Sequence, residues 1–285
     1  MPRTAFKRAL ITGASAGLGV EYARQLAAAG TGLVLTARRL DRLEELAAEL
    51  RAAHGVAVET VGADLAREDG LAALERLLAA DPGIDLLVNN AGFGGRTGFA
   101  RGEAADHVAM ARVHVEAAVR LTRAALPAMV ARGRGAVVNV ASVAAFSPFS
   151  GAMYSGTKAF LVMFSENLQA ELWGKGVAVQ ALCPGLTHTE FHAAADLDLS
   201  AVPELFWRRA DEVVRTSLRR LGRGVVCIPG WENKAVSFLM RCPLTAGLVR
   251  TVSRAKLVRG MAAGKGSSVG PGPGGGPGKP RVRRG

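Results

Sequence analysis

Residues 142–158, SVAAFSPFSGAMYSGTK, connect a strand-like apolar run (GAVVNVAS) to a helical pattern (AFLVMFSENLQAELWG). The stretch predicts a strand end, a loop and a helix start, which is where an open α/β sheet places its chemistry. Tyr154 and Lys158 are four residues apart and share one face of the predicted helix. A cation near a phenol stabilises its anion, so the pair favours proton exchange closer to neutral pH. Ser142 adds a hydroxyl at the strand end, whereas a surface tyrosine beside a solvated lysine is the alternative.

The composition around this stretch is that of a globular protein. The chain has 285 residues, 49% hydrophobic and 21% charged, which suits one large domain or two small ones. No apolar run reaches the roughly 18 residues that a membrane span requires. Glycines interrupt the apolar N-terminus early, which argues against a signal peptide. Three cysteines without metal-ligand spacing fit a reducing compartment, so the sequence predicts a cytoplasmic protein.

The net charge of +12 is concentrated at the C-terminal end. No Asp or Glu follows Glu232, whereas 11 of the 36 Lys and Arg residues lie from Lys234 onward. Residues 1–232 are therefore close to neutral. The basicity says little about the main domain, and the closing RVRRG lacks the aromatic residues that stack on bases. We expect no specific nucleic-acid partner.

A glycine-rich turn follows the first predicted strand. The run FKRALIT leads into TGASAGLG, after which a helical pattern begins. Such a turn lets the backbone approach a pyrophosphate, and the helix N-terminus supplies oriented N–H groups. The alternative is a purely structural turn, which has the same glycine-rich sequence. The next strand ends in Ala37, Arg38 and Arg39. Arginine there accommodates the 2′-phosphate of NADP(H), and a solvated arginine pair at a helix start is the alternative.

Strand-like runs and helical patterns alternate along the remaining chain. The runs cover residues 56–65, 86–88, 136–142 and 177–183. Asp64 lies at the end of the first of them, where its carboxylate either accepts from an adenine amino group or caps the next helix. Small residues at Asn89–Gly92 leave room for a ribose and a nicotinamide, as they also do for a turn. The alternation predicts an α/β fold with a doubly wound parallel sheet.

Together these motifs resemble those of the short-chain dehydrogenase/reductase family. The family's TGxxxGxG turn is similar to Thr12–Gly19, its NNAG to Asn89–Gly92, its Ser and YxxxK to Ser142 and Tyr154–Lys158, and its PG-containing turn to Pro184–Thr189. The match spans about residues 5–230. The resemblance implies a Rossmann fold and an NADP(H)-dependent oxidoreductase that interconverts a carbonyl and an alcohol.

The resemblance also implies a role for each matched residue. Tyr154 is expected to be the general acid/base, Lys158 to hold the nicotinamide ribose and lower the pKa of Tyr154, and Ser142 to polarise the substrate carbonyl. The expected cofactor-binding residues are Gly13, Ser15, Gly17, Leu18, Gly19, Arg38, Asp64, Leu65, Asn90, Ala91, Gly92, Tyr154, Lys158, Pro184, Gly185, Thr187 and Thr189.

One position departs from the family pattern. His114 stands where the family usually has an Asn that supports a water-linked proton path from the catalytic lysine. A histidine donates and accepts hydrogen bonds, so His114 is a candidate catalytic residue, but its larger, titratable ring puts the relay in doubt. A cofactor-binding regulatory or scaffold protein without turnover is therefore a second hypothesis.

Apolar side chains near the predicted site indicate an apolar small-molecule substrate. The segment 186–207 is expected to cover the site, although ordinary packing is the alternative for each residue. The side chains concerned are Phe93, Phe146, Phe149, Met153, Phe191, Leu197, Leu199, Phe206 and Trp207. His188 and His192 have i, i+4 spacing but no further ligand with a fixed position, so we predict no metal site.

The C-terminal part divides into an extension and a tail beyond the main domain, residues 1–230. The sequence of residues 231–263 predicts two short basic helices divided near Pro243. Three positions are open for them: on an anionic membrane, over the pocket of a partner subunit, or packed on their own domain. A third hypothesis is therefore a peripheral membrane or nucleic-acid binding protein that works through this end. The glycine- and proline-rich residues 264–285 predict a disordered tail. The resemblance also suggests a homodimer or homotetramer built through helices at 103–131 and 153–174.

Overall fold

The computed structural model describes residues 6–95, 98–147, 150–190 and 203–241. Its strands are β1 (Arg8–Thr12), β2 (Gly32–Ala37), β3 (Val58–Gly62), β4 (Leu86–Asn89), β5 (Gly135–Val140), β6 (Val177–Leu182), β7 (Leu186–His188), β8 (Trp207–Arg209) and β9 (Val226–Cys227). Its helices are α1 (Gly17–Ala28), α2 (Leu40–His54), α3 (Glu68–Ala80), α4 (Ala104–Ala111), α5 (Ala117–Ala131), α6 (Ala152–Glu171), α7 (Ala210–Arg220) and α8 (Trp231–Arg241). Single turns of 3₁₀-helix cover Val143–Phe146 and Glu204–Phe206.

Seven of the described strands form one parallel sheet in the order β3-β2-β1-β4-β5-β6-β9. The strand order reverses between β1 and β4, where Leu10 pairs with Val34 on one side and with Leu87 on the other. A crevice forms beyond the carboxyl ends of strands at such a reversal, and open α/β sheets bind their ligands there. The predicted doubly wound sheet, a Rossmann fold, is confirmed.

Both faces of the sheet are covered by helices, which explains why its strands are apolar along their whole length. Along β1, Ala9 and Ile11 pack with α1, α2 and α7 on one face, whereas Leu10 packs with α3, α5 and α6 on the other. All six residues of β5 are buried. This layered core fixes the carboxyl ends of the strands, from which the candidate site is built.

Two features differ from the sequence pattern. The helix predicted over 103–131 contains a π-helical turn, Arg112–Glu116, between α4 and α5. Three-residue strands β7 and β8 form a separate parallel pair, which the sequence analysis did not predict. The π turn places His114 inward, where it is almost fully buried.

The C-terminal extension is described only as far as α8. The predicted second helix beyond Pro243, the tail and Cys242 lie outside the described residues. In the part of the chain that the structure covers, no helix has the length and apolar character needed to cross a bilayer.

Candidate functional site

The glycine turn after β1 lies directly against the end of β4. Gly13 and Gly17 have positive φ angles of 66° and 55°, which favour glycine over residues with a side chain. A Cβ on Gly13 would lie 2.8 Å from the Cα of Ala91, and one on Gly19 would overlap the carbonyl oxygen of Gly13. The turn is therefore built from backbone alone, and a ligand can approach its peptide groups closely.

Hydrogen bonds from Thr12 and Asn90 fix the shape of this turn. The Asn90 side-chain amide donates to the carbonyl oxygens of Thr12 (2.8 Å) and Gly13 (3.1 Å). The Thr12 hydroxyl accepts from the backbone N–H groups of Asn90 and Ala91, both at 2.9 Å. Asn90 was predicted to contact a cofactor. Its amide nitrogen binds the turn, and its contact with a cofactor stays a prediction. Gly92, in the loop after β4, is exposed.

The N-terminus of α1 presents N–H groups to the same crevice. Its N-cap residue, Ala16, provides no side-chain cap, and the first turn of the helix contains no acidic residue. Helix N-termini of this kind bind anions through backbone N–H groups and the positive end of the helix dipole. Together with the backbone-only glycine turn, this arrangement fits the pyrophosphate of a dinucleotide.

An arginine cluster stands beside the glycine turn. Arg39 donates to the Ser15 hydroxyl from Nη2 at 3.1 Å and from Nε at 3.3 Å. Arg42, on the first turn of α2, forms an ion pair with Glu190 at 3.0 Å, and Arg39 lies 3.5 Å from the same carboxylate. The predicted contact, Arg38, is exposed. Arg38 and Arg39 were both considered for the 2′-phosphate, but only Arg38 was predicted as a cofactor contact, and Arg42 was missed, although the sequence RRLDR indicates a basic helix start.

Asp64 and Leu65 follow β3. The Asp64 carboxylate accepts from the backbone N–H of Ala66 at 3.0 Å, which is a local turn contact. It does not cap α3, whose N-cap residue is Arg67 and whose N-terminus has no side-chain cap. Leu65 is buried and lines a small cavity together with Thr12 and His114. In the described contacts these two residues shape the loop, and their role toward an adenine stays a prediction.

Lys158 is buried below Tyr154, as their spacing predicts. Its ammonium donates to the carbonyl oxygen of Val140 at 2.7 Å and lies 5.7 Å from the centre of the Tyr154 ring. Desolvation by burial lowers the pKa of Lys158 to about 8. The amine is therefore close to its own titration point at physiological pH.

Tyr154 differs from the sequence expectation in its titration. Desolvation of its half-buried phenol raises the pKa of Tyr154 to about 12, against a smaller lowering by a hydrogen bond with Ser142. The expected lowering of the Tyr154 pKa by Lys158 does not occur: burial controls the shift, and the ammonium, 5.7 Å from the ring centre, is not among its causes. The Ser142 hydroxyl oxygen accepts from the Ala144 N–H at 3.1 Å, which orients it at the start of the 3₁₀ turn. Tyr154 is therefore protonated at neutral pH.

His114 is held in one tautomer by its neighbours. Its Nε2 accepts from the backbone N–H of Phe93 at 3.0 Å, so the ring proton is on Nδ1, 2.9 Å from the Thr157 hydroxyl. That hydroxyl donates to the carbonyl oxygen of Tyr154 at 3.0 Å. Burial, and then the nearby charge of Lys158, keep the pKa of His114 well below its usual value. The ring is neutral and packs edge-on to Tyr154, with 5.9 Å between ring centres.

The turn after β6 completes the crevice. The carbonyl oxygen of Pro184 accepts from the backbone N–H of Val143 at 2.9 Å, and the Thr187 hydroxyl donates to the carbonyl oxygen of Gly185 at 3.1 Å. Thr189 faces the glycine turn, since its Cβ lies 3.2 Å from the position that a Cβ on Gly17 would take. The structure thus places Pro184–Thr189 across the crevice from the glycine turn.

The predicted apolar lining is only partly described. Phe93, Phe146 and Met153 are half-buried near the catalytic cluster. Phe149, Phe191, His192, Leu197 and Leu199 lie outside the described residues. His188 lies 2.8 Å from Glu204 and stacks on Trp207. Within the described ranges, no three His, Cys, Asp or Glu side chains group as metal ligands would.

The chain is similar to known proteins in both sequence and structure. The family described as short chain dehydrogenase matches residues 7–199. An uncharacterized oxidoreductase of Myxococcus xanthus is 37% identical over 230 residues, which cover 79% of this chain and 86% of the relative.

Two solved structures are also similar. A short-chain dehydrogenase from Sphingobium yanoikuyae in complex with NADPH has a TM-score of 0.76 and 36% identity, over 88% of this chain and 95% of the other. The bulky-bulky ketone specific alcohol dehydrogenase from Comamonas testosteroni has a TM-score of 0.73 and 30% identity, over 90% of this chain and 95% of the other.

Proposed function

Because the chain belongs to the short-chain dehydrogenase family, we propose that it is an NADP(H)-dependent oxidoreductase that interconverts a carbonyl and an alcohol on an apolar small molecule. One observation carries the proposal. Ser142 hydrogen-bonds to Tyr154, and the Lys158 ammonium lies 5.7 Å from the centre of the Tyr154 ring, next to Gly92 in the loop whose Ala91 packs against the glycine turn. Such a constellation combines a proton donor, a carbonyl-polarising hydroxyl and a cation in one pocket.

The crevice residues fit a dinucleotide. The turn Gly13–Gly19 and the uncapped N-terminus of α1 would hold the pyrophosphate, and Lys158 would hold the nicotinamide ribose. Bound NADP(H) supplies or accepts the hydride, which no side chain can do. Gly92, in the exposed loop after β4, leaves space beside Lys158, because a Cβ there would lie 3.4 Å from its ammonium nitrogen.

The arginines support NADP(H) over NAD(H). The strand end at Ala37 carries no carboxylate to accept from a free ribose 2′-hydroxyl, whereas Arg38, Arg39 and Arg42 lie at the start of α2. Guanidinium groups recognise phosphate through charge-assisted hydrogen bonds. The NADPH complex of the similar Sphingobium dehydrogenase points the same way.

The side chains divide the proton chemistry between them. With a pKa of about 12, Tyr154 carries its proton at neutral pH and can deliver it to the oxygen of a carbonyl as negative charge develops there. The Ser142 hydroxyl donates to the same oxygen and holds it in place. Lys158, protonated below about pH 8, provides a positive charge that favours the phenolate left behind. In the oxidation direction Tyr154 accepts the proton from the alcohol.

The pocket favours an apolar substrate. Phe93, Phe146 and Met153 contribute apolar surface beside the catalytic cluster. The preference of the similar Comamonas enzyme, named for bulky-bulky ketones, suggests large substituents on both sides of the carbonyl. We therefore assign bulky apolar ketones and the corresponding secondary alcohols as the substrate class.

An assay with both cofactors tests the proposal. NADPH and NADH oxidation would be followed with small aldehydes, small ketones and bulky apolar ketones, and the reverse reaction with secondary alcohols. We expect NADPH to be preferred and bulky ketones to have the higher kcat/KM. Preference for NADH, or for small polar carbonyls, would contradict the assignment.

A cofactor-binding protein without turnover is the second candidate, and His114 favours it. Nε2 of His114 already accepts from the Phe93 N–H, and its Nδ1 proton faces the Thr157 hydroxyl, so both ring nitrogens are engaged and neither is open to a water-linked proton path. Normal NADPH binding with no turnover across the substrate panel would support this candidate. Turnover that depends on Tyr154 would exclude it.

Assembly and location belong to the same proposal. Phe160 and Met163 are exposed on α6, which supports the expected homodimer or homotetramer through α4, α5 and α6. Light scattering should give a mass above the 29.6 kDa monomer, and Met163→Glu should lower it. A cytoplasmic location is supported by Cys183 and Cys227, which are free and buried.

A further inference from the structure

Helix α8 packs on the domain with its polar side inward. Glu232, Asn233 and Ser237 are buried, with 3%, 7% and 2% of their surfaces exposed. Trp231 and Phe238, on the opposite side, are 68% and 70% exposed. A surface helix of a globular protein normally has the reverse arrangement, with its apolar face toward the core.

Specific contacts fix this orientation. Glu232 forms a paired ion bond with Arg208 of β8, with both N–O distances at 2.7 Å. Asn233 donates to the carbonyl oxygen of Pro229 at 2.9 Å and fills the space beside Gly185, where a Cβ would overlap it. Rotating α8 to bury its apolar side would break these bonds and expose the buried partners. The outward apolar face is therefore a property of the fold.

The exposed residues form a continuous stripe. Trp231, Lys234, Ala235, Phe238 and Leu239 are all exposed, and their i, i+3, i+4, i+7, i+8 spacing places them on one helical face. We call this set the α8 stripe. Exposed clusters of large apolar residues mark interaction surfaces, and an indole and a phenyl ring beside a lysine suit the boundary between lipid headgroups and acyl chains.

Charge indicates which surface the stripe meets. From Lys234 to the C-terminus the sequence has 11 Lys and Arg residues and no acidic residue. A second copy of the chain that met the stripe through its own α8 would bring the same positive charge and be repelled, whereas a bilayer with anionic headgroups attracts this charge. Each basic residue near such a surface strengthens binding, and apolar insertion adds to it.

We propose that the α8 stripe docks the protein on an anionic lipid surface, with Trp231 and Phe238 inserted at the headgroup boundary and Lys234 at the headgroups. α8 also packs against the 3₁₀ turn Val143–Phe146, which begins directly after Ser142. Docking would therefore bring the crevice close to the bilayer, where apolar ketones concentrate. This last consequence rests on the proposed function, whereas the docking itself does not.

Vesicle binding by the full chain tests the proposal. Wild type, the double variant Trp231→Gln/Phe238→Gln and the control Trp173→Gln would be sedimented with phosphatidylcholine vesicles with and without phosphatidylserine. Trp173 is 85% exposed just after α6 and is not part of the α8 stripe, so its replacement removes an exposed indole outside the proposed surface. We expect wild type and Trp173→Gln to bind the phosphatidylserine vesicles alike, and the double variant to bind about tenfold or more weakly.

Two further measurements separate insertion from simple charge attraction. Trp231→Phe keeps an apolar ring, so it should retain binding but lose most of the blue shift of tryptophan fluorescence that wild type shows on adding vesicles. Added salt should weaken the binding of wild type. NADPH oxidation in solution should be unchanged in the double variant, which separates failure of docking from failure of the proposed activity.

Three results would overturn the proposal. They are absence of wild-type binding to phosphatidylserine vesicles, equal binding by wild type and the double variant, and loss of a dimer in the double variant without any vesicle binding. The third would assign the stripe to a second copy of the chain.

Discussion

Replacing Lys158 by Met should remove a rise of stability with pH that the folded protein owes to this one buried amine. Lys158 is only 4% exposed, and desolvation lowers its pKa from 10.5 to about 8. Between these two values the unfolded chain binds the proton and the folded chain does not. Stability therefore rises with pH across this window by about 1.4 kcal/mol per pH unit for this group. Below pH 8 both states carry the proton and the contribution is constant.

Urea unfolding at pH 8 and at about pH 9.5 measures this effect. The free energy of unfolding of wild type minus that of Lys158→Met should increase by about 2 kcal/mol between the two conditions. Cys183, whose pKa burial raises to about 12, acts in the opposite direction but is present in both proteins, so only its smaller interaction with Lys158 remains in the difference. Lys175→Met, the same change at an exposed lysine, should follow wild type. If the difference in unfolding free energy between wild type and Lys158→Met stays constant or falls with pH, the claim that burial destabilises the Lys158 ammonium is refuted.

Three further predictions concern the cofactor arginines, the histidine and the α8 ion pair. Arg39→Ala should raise KM for NADPH about tenfold and leave KM for NADH nearly unchanged. Glu190→Gln should lower KM for NADPH, because it releases Arg39 and Arg42 from their ion pairs. Equal effects on KM for both cofactors would contradict the 2′-phosphate site. His114 should show no titration between about pH 5.5 and 8 by NMR, because burial beside an ammonium keeps its pKa well below that range, and a titrating ring would disprove the neutral tautomer. Glu232→Gln should cost about 1–3 kcal/mol of unfolding free energy at pH 7, since Arg208 loses its buried carboxylate. Because Arg208 lowers the pKa of that carboxyl in the fold, the cost should shrink as pH falls below about 4, and a loss independent of pH would argue against the ion pair.

The sheet was predictable because buried parallel strands leave long apolar runs in the sequence. β1, β4 and β5 are read directly from such runs, and the glycines after β1 mark the first turn. The pair β7 and β8 left no signal, because three-residue strands have no measurable alternation and their pairing joins distant segments. The π turn at Arg112–Glu116 was equally hidden, since no Pro or Gly interrupts the helical pattern there.

The site was predictable in its spacing and less so in its electrostatics. The four-residue interval brought Lys158 below Tyr154, but only packing decides whether burial or charge controls the pKa of the phenol. The local sequence also leaves two roles open for Asn90 and for Asp64, and in the structure both side chains make turn contacts. The sequence of α8 reveals two faces but not which one is buried, because Arg208, which decides it, lies on another element.

Turnover by Tyr154→Phe, compared with Tyr22→Phe, tests the central claim most directly. Tyr22 is the chain's other tyrosine, buried on α1 with its hydroxyl donating to Ser217 at 2.6 Å, so the same atom is removed away from the crevice. Both variants should bind NADPH like wild type, as followed by its fluorescence. With a bulky ketone, Tyr154→Phe should lose about 10²–10⁴-fold in kcat and Tyr22→Phe should keep wild-type turnover. Comparable turnover in Tyr154→Phe and wild type would contradict the assignment of this phenol as the proton donor.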